Sequence, residues 1–388
     1  MSLQAVILAA GEGTRLRPLT QNKPKALLPV ANRPILEHLV DTLMKCGIRD
    51  IIVVVGYRKE QVMRHLIRLP VEVKVAIQKE QIGTAHALLC ARDLITGDVL
   101  VLPGDNYVDS ASLKEVIKIQ NSLLITTHKY PTNFGVVSVE EGFVTSIVEK
   151  PDRATRTTVN CGVYHLTSDL FRSIHSQTMI EAVTSFLNNN VKITAVVAHE
   201  WQDAIYPWDL LTMNQRLLRA TARSKDGILS SGAVIEGQVS IGRGTVIGPY
   251  TIIQGPVVIG EDCVIGPHCV ITPGSSIGSR VTLEPFTVIT SSLIMDDCVI
   301  ASHSSLTSAV LGEGCTLGEH TVVTAGSGFL EIGEEAVKSC CGVIMGNGVF
   351  SSPMITYENC IIGNDVVIDA TNGLRLRSKV IPDRTRVM

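Results

Sequence analysis

The chain has 388 residues and a formal charge of -3, with 34 lysines and arginines against 37 acidic residues and no basic run or tail. That length exceeds one ordinary core and gives two domains as the expectation, while the charge balance and an aromatic content of 4% argue against a nucleic-acid partner. No apolar stretch reaches transmembrane length and the N-terminus lacks the basic and apolar regions of a signal peptide, so a cytoplasmic protein is expected.

Ala5 to Ala10 is a short apolar, β-branched run of the kind that forms one buried parallel strand, and Gly11 and Gly13 follow it directly. Without Cβ atoms there, the backbone can approach a polyphosphate and aim several N–H groups at its oxygens. Arg15 and Lys25 then add positive charge. Two better-known phosphate loops are excluded: the dinucleotide fingerprint needs a third glycine where Leu16 stands, and a P-loop needs Gly-Lys-Ser/Thr, which is missing.

Gly11-x-Gly13-Thr14-Arg15-x-x-Pro18-x-Thr20, followed by Lys23-Pro24-Lys25 and an apolar run, resembles the signature of the sugar-1-phosphate nucleotidylyltransferases. The resemblance implies a Rossmann-like α/β nucleotidyltransferase domain that uses Mg²⁺ and takes a nucleoside triphosphate and a sugar 1-phosphate. It places Leu8, Ala9, Gly11, Gly13 and Thr14 against the nucleotide and gives Arg15 and Lys25 catalytic roles.

Further on, Ile35 to Lys45 has helical spacing, Gly47 ends it, and Ile51 to Val55 is a second buried strand. Glu60 to Leu66 reads as a helix, Val71 to Ile77 as a strand, Thr84 to Leu94 as a helix and Val99 to Leu102 as a strand. This alternation predicts a parallel sheet with helices on both faces, whose ligands sit beyond the carboxyl ends of strands where strand order reverses. Gln78 follows one such strand, and Gly83-Thr84 opens the next helix. A glutamine amide offers a donor and an acceptor side by side, which can pair with the N3–H and O4 edge of uracil or thymine; as an exposed loop residue it would need no such role. The resemblance puts Gln78, Gly83 and Thr84 on the nucleotide.

Asp105 ends Val99-Leu-Val-Leu-Pro-Gly-Asp at a strand's carboxyl end, where a carboxylate suits a metal. Mg²⁺ takes one or two carboxylates plus substrate phosphates, so a second acid is expected. Asp209, in Tyr206-Pro207-Trp208-Asp209, matches the second metal aspartate of the family, and it reads equally well as an N-cap for the helix from Leu210. Phe134-Gly135-Val136-Val137, Val148-Glu149-Lys150-Pro151 and Val159-Asn160-Cys161-Gly162 form the sugar side of the resemblance. There Gly135 and Asn160 would face the sugar, Glu149 its hydroxyls and Lys150 the phosphate; a solvated strand end also accounts for Glu149 and Lys150.

A polar connector over Ser224 to Gly232 sets the expected boundary, dividing the chain into 1–223 and 224–388. Beyond it Ile235, Ile241, Ile247, Ile253, Ile259, Ile265, Ile271, Ile277, Leu283 and Ile289 recur every six residues, and a period of six winds a parallel β-helix. The phase slips at Ile294 and again at Leu311, is disrupted from Thr324 to Val343, and is read as resuming at Ile344, Phe350, Ile362 and Ile368. Cys263 and Cys269 fall on the repeat and read as small core residues, and the ten cysteines, scattered with no Cys-x-x-Cys pair, as free thiols.

This half resembles the left-handed β-helix of hexapeptide transferases, and the whole chain resembles two-domain enzymes joining a uridylyltransferase to a glucosamine-1-phosphate acetyltransferase. Solenoid faces commonly associate, so a homo-oligomer, a trimer or multiple of trimers, is expected. His303 matches the acetyl-transfer base of those enzymes, with acetyl-CoA as the implied cosubstrate. The spacing after it is one residue short, and Thr324-Ala325-Gly326-Ser327 stands where an asparagine is expected, so the second half is expected to be silent in acetyl transfer. The reading is transfer of the nucleotidyl group of UTP or dTTP onto glucose 1-phosphate or N-acetylglucosamine 1-phosphate with release of pyrophosphate. A mannose-1-phosphate guanylyltransferase, a bifunctional enzyme and a non-catalytic regulatory subunit are the alternatives.

Overall fold

The structure, a computed structural model, describes residues 3–333, 335–370 and 373–388. Two compact units divide the chain: one contains residues up to 12, 23–27 and 35–203, the other 13–22, 28–34 and 204–388.

In the first unit, β1 (Gln4–Ala9) leads through α1 (Ile35–Lys45) to β2 (Ile51–Val55), α2 (Lys59–Leu66), β3 (Val73–Ile77), α3 (Thr84–Cys90), β4 (Val99–Pro103) and the short β5 (Asn106–Val108). The chain continues through α4 (Ser110–Lys118), β6 (Ser122–Thr127), β7 (Gly135–Glu140), β8 (Phe143–Glu149), β9 (Thr158–Leu166), α5 (Ser168–Arg172), α6 (Met179–Asn188), β10 (Thr194–Val197) and β11 (Trp201–Asp203). Nine strands form one sheet in the order β3-β2-β1-β4-β9-β6-β10-β8-β7. The first four are parallel, as the alternation predicts; β9 then runs antiparallel to β4 and β6, so the whole sheet is mixed.

Strand β2 and, after Gln4, strand β1 are apolar because helices cover both their faces, and Val6, Ile52, Val54 and Val101 lie fully buried with α3 and α6 residues such as Leu88 and Val183. Strand order reverses between β1 and β4. The crevice beyond Ala9 and Pro103 is therefore the place the topology provides for a ligand.

The second unit is a left-handed parallel β-helix whose strands fall into three sheets of nine, nine and eight. Equivalent aliphatics stack coil on coil, Ile241 on Ile259 on Ile277 on Ile294 on Leu311, and each is essentially buried. From Leu311 the next rung is Met345, because the hairpin of Gly326–Ile332 with Glu335–Cys341 is inserted between them.

After this insertion the sequence-based phase is off by one at Ile344 and Phe350, while Ile362 and Ile368 take core positions as expected. Met345 and Ser351 take the inward positions, whereas Ile344 stacks on Val310 one residue out of phase and Phe350 is exposed. The inward Ser351 hides the period: it replaces the expected aliphatic and accepts a 2.7 Å bond from the hydroxyl of Tyr357, which fills the core. All ten cysteines are free, and Cys263, Cys269, Cys298 and Cys315 lie inside the solenoid with their thiols donating to backbone carbonyls.

One face of the solenoid is covered within its own unit. Helix α7 (Asp209–Leu218) lies over it, and Asn214 accepts from Ala31 N at 2.8 Å and from the Ser276 hydroxyl at 2.6 Å, and donates to Gly274 O at 2.9 Å. The boundary expected at 223/224 thus falls inside this compact unit.

Candidate active site

The turn after β4 brings Gly104 N within 2.8 Å of Leu8 O, so the ends of β1 and β4 are joined just where strand order reverses. A Cβ on Gly104 would sit 2.9 Å from that of Ala9, which is why glycine stands there. Asp105 follows. Strand β11 pairs with β5 antiparallel, opposing Asp203 to Asn106, and this delivers a second carboxylate beside Asp105.

Lys25, in the 3-10 turn Lys25–Leu27, reaches between them: its Nζ is ion-paired to Asp105 and lies 3.5 Å from Asp203 Oδ1. Burial pulls against the ammonium, but the two carboxylates outweigh it and hold its proton above the ordinary lysine value. Asn106 donates to Cys161 O at 3.2 Å and leaves its buried Oδ1 without a protein donor.

The carboxylate that joins Asp105 within the first unit is Asp203; Asp209, the expected second metal ligand, belongs to the second unit. Asp209 is the first residue of α7, and its Oδ2 accepts from Ile205 N at 2.9 Å and Tyr206 N at 2.7 Å, so the carboxylate ties down the turn before its own helix. The signal for Asp203 was its position at the carboxyl end of a short strand, six residues earlier.

Gln78, 4% exposed, follows β3 and donates from Nε2 to Gly83 O at 3.1 Å. Gly83 opens α3 so close to Gln177 that a Cβ would lie 2.4 Å from the Gln177 carbonyl oxygen, which accepts from Ala85 N and His86 N. Thr84 uses its hydroxyl to accept from Met179 N at 3.0 Å, joining α3 to α6. Gln81, which drew no attention in the sequence, donates to Ala10 O at 2.9 Å and holds the end of β1.

On the other side of the sheet Gly135 and Glu149 are paired directly across β7 and β8, and a Cβ on Gly135 would strike Ile180 at 2.8 Å. Glu149 and Lys150 are half exposed, 3.7 Å apart, with Lys150 at a φ of 39° and its N–H on Phe134 O. Asn160 sits at a bulge in β9, where Oδ1 accepts from Gly162 N and Nδ2 donates to the Tyr164 hydroxyl, both at 2.7 Å. Gly162, at φ +75°, packs with its Cα side against Pro103 of the Pro-Gly-Asp turn.

Gly11 has only open space where a Cβ would stand, and Gly13 takes a φ of 71°, with its carbonyl accepting from Thr20. Thr14 and Arg15 begin the 3-10 turn Thr14–Leu16, which belongs to the second compact unit. There they line a cleft of about 340 Å³ with Gln21, the hairpin tip Glu331–Gly333 and Asp383. His303 lies on the solenoid's corner in a ladder Tyr250-His268-Phe286-His303-His320, its ring 4.9 Å from Phe286 and 5.1 Å from His320 between centroids.

A buried lysine held by two carboxylates beside a switch point, on a mixed α/β sheet followed by a hexapeptide solenoid, fits a nucleotidyltransferase architecture. The Nucleotidyl transferase family model matches residues 4–218, and a GMPPB C-terminal domain model matches residues 253–385. The chain is 31% identical over 393 residues to the Bifunctional protein GlmU of Methanococcus maripaludis strain S2, covering 95% of each. It is 34% identical over 244 residues to the UTP--glucose-1-phosphate uridylyltransferase AglF of Haloferax volcanii, covering 58% of this chain and all of that one. A crystal structure of a putative glucose-1-phosphate thymidylyltransferase from Bacillus anthracis in complex with a sucrose superposes with a TM-score of 0.52 at 24% identity, over 58% of this chain and 98% of that one, which shows the shared fold. The chain belongs to the sugar-1-phosphate nucleotidyltransferase family.

Proposed function

We propose that the protein transfers the nucleotidyl group of UTP or dTTP to a sugar 1-phosphate, glucose 1-phosphate or N-acetylglucosamine 1-phosphate, releasing pyrophosphate. The observation that carries this is Lys25 held by Asp105, just past the end of β4 where strand order reverses, and by Asp203 at the end of β11. A sugar-phosphate oxygen attacks the α-phosphorus and pyrophosphate leaves in line, so alignment and charge neutralisation, rather than a nucleophilic side chain, are what the protein must provide.

Lys25 supplies a cation kept protonated by its carboxylate partners and aimed at the α-phosphate. Arg15, from the signature loop, neutralises charge on the triphosphate. Gln78 and Gly83 read the base, Gly135 and Asn160 border the sugar, Glu149 binds its hydroxyls, and Lys150 meets its phosphate. Asp105 and Asp203 offer oxygen donors only and already converge on one cation, which fits a Mg²⁺ completed by substrate phosphates. Held there, such an ion would neutralise charge on the substrate phosphates.

The proposed division of labour puts this chemistry before residue 223 and assembly after it. The solenoid faces away from α7 carry exposed Val246, Tyr250, Ile252, Val264 and Phe286, an apolar surface that suits association of copies into a trimer. Among the described residues no helix is long and apolar enough to cross a membrane, in keeping with a cytoplasmic enzyme. A matrix of nucleoside triphosphates, GTP included, against sugar 1-phosphates, scored by pyrophosphate release, tests the reading. UTP or dTTP should lead, and GTP as the best substrate would overturn it.

A second reading has one observation in its favour: relatives named bifunctional align over 95% of the chain. In that case His303 would take a proton from the amine of glucosamine 1-phosphate as it attacks acetyl-CoA. Thiol release from acetyl-CoA that needs both the amino sugar and His303 would establish it.

A further inference from the structure

The orientation of the Gln78 amide is fixed by what surrounds it. A peptide carbonyl only accepts, so the amide atom 3.1 Å from Gly83 O must be the NH₂ group. The same nitrogen lies 3.0 Å from His86 Nδ1, on the first turn of α3. An NH₂ pointed at that ring nitrogen requires Nδ1 to accept, which places the imidazole proton on Nε2. His86 is itself held by its backbone N–H on Gln177 O at 3.0 Å. Both amide hydrogens of Gln78 are thereby used inside the protein, and Oε1 is the part of the amide left for a ligand.

We propose that His86 is a specificity-determining positioning residue: by taking the second amide hydrogen of Gln78 it leaves the nucleobase to meet an acceptor and no donor. This rests on the reading of Gln78 as the residue that contacts the base. Uracil and thymine present N3–H and satisfy that acceptor, whereas cytosine presents a bare N3 and puts two lone pairs face to face. A site built to pair with a ring N–H rejects the base that lacks it far more strongly than shape alone could. The contact is blind to guanine, whose N1–H also donates, so the discriminating comparison is UTP or dTTP against CTP.

Removal of His86 should have a partial rather than a complete effect. Gly83 O still holds one amide hydrogen, and only the second constraint is lost. His86→Leu removes the acceptor, while His86→Asn can return one, because an asparagine Oδ1 reaches the place of Nδ1.

The experiment is steady-state nucleotidylyl transfer by the full chain with UTP or dTTP, whichever it uses, and with CTP. For H86L the selectivity ratio of kcat/KM should fall about tenfold, through KM for the preferred triphosphate with kcat within about threefold. H86N should keep the ratio near that of the unmutated protein. An unchanged ratio in H86L, or the same loss in H86N as in H86L, overturns the proposal while leaving the base reading of Gln78 intact. Use of neither UTP nor dTTP by the unmutated protein overturns the base reading itself. Should H86L fail to fold, imidazole nitrogen shifts of the ¹⁵N-labelled unmutated protein decide: a bare Nδ1 and protonated Nε2 are expected, and a protonated Nδ1 sinks the proposal.

Discussion

Lys25 Nζ lies 3.5 Å from Asp203 Oδ1 while the same ammonium is ion-paired to Asp105, so an acid in the turn after β4 and an acid on β11 share one cation. Removing either acid leaves the lysine underneutralised and takes one oxygen donor from the metal position. Asp203→Asn and Asp105→Asn are each expected to lower kcat/KM about a hundredfold or more and to raise the Mg²⁺ concentration needed for half-maximal rate. Asp209→Asn should keep activity within about threefold and lower thermal stability, since its carboxylate ties down the Ile205 and Tyr206 amides. Titrating Mg²⁺ against pyrophosphate release for the three variants checks this; a collapse in D209N with a near-normal D203N would reverse the assignment.

The same cluster carries a pH signature. Burial opposes the charge on Lys25, yet Asp105 and Asp203 together raise its proton affinity above that of an ordinary lysine. A cation whose affinity is raised on folding stabilises the folded state fully below its unfolded value, and that contribution is lost as pH climbs through the raised folded value. The melting-temperature gap between the unmutated protein and Lys25→Met should therefore be constant from about pH 7 to pH 9 and shrink only above about pH 10.5. A gap that closes below pH 9 would mean the lysine is not held as described.

Asn214 gives a prediction for the second unit. Its fully buried amide satisfies Ala31 N, Gly274 O and the Ser276 hydroxyl, at 2.8, 2.9 and 2.6 Å. Asn214→Leu keeps the branched side-chain shape and leaves all three polar partners without this bond, so a loss of about 3 kcal/mol is expected in denaturant unfolding. A loss below about 0.5 kcal/mol would show that water or local rearrangement replaces the amide.

Much of this architecture was legible because it is written in period and in loop chemistry. The aliphatics from Ile241 to Ile289 declare the solenoid, since a stack of coils must repeat its core residue, and the apolar runs at Val6 and Ile52 declare strands buried on both faces. Asp105 was legible for the same kind of reason, standing at the end of a strand. Asp203 was not, because β11 is three residues long and its partner β5 is a sequence-distant strand, so no local pattern brings the two acids together. His86 was hidden too, since its bond to Gln78 depends on how the loop between them folds back. Phe350 was misplaced because the rule of aliphatic recurrence has no way to anticipate a serine in the core.

That serine supplies the last prediction. Ser351 Oγ accepts from the hydroxyl of Tyr357, which is fully buried in the solenoid, and a burial push holds that phenol's proton well above the usual tyrosine range. Ser351→Ala leaves a buried hydroxyl with no partner, an outcome that costs more than losing both halves of a hydrogen bond together. The single variant is therefore expected to lose about 2 kcal/mol, and adding Tyr357→Phe should recover about half of it, although the double change removes more polar atoms. Denaturant unfolding of the unmutated protein, S351A, Y357F and the double variant closes the cycle. If the double variant is less stable than S351A, the hydroxyl pair is not what fixes the rung. The core there would then be set by volume alone, as it is at Ile362 and Ile368 on the neighbouring coil.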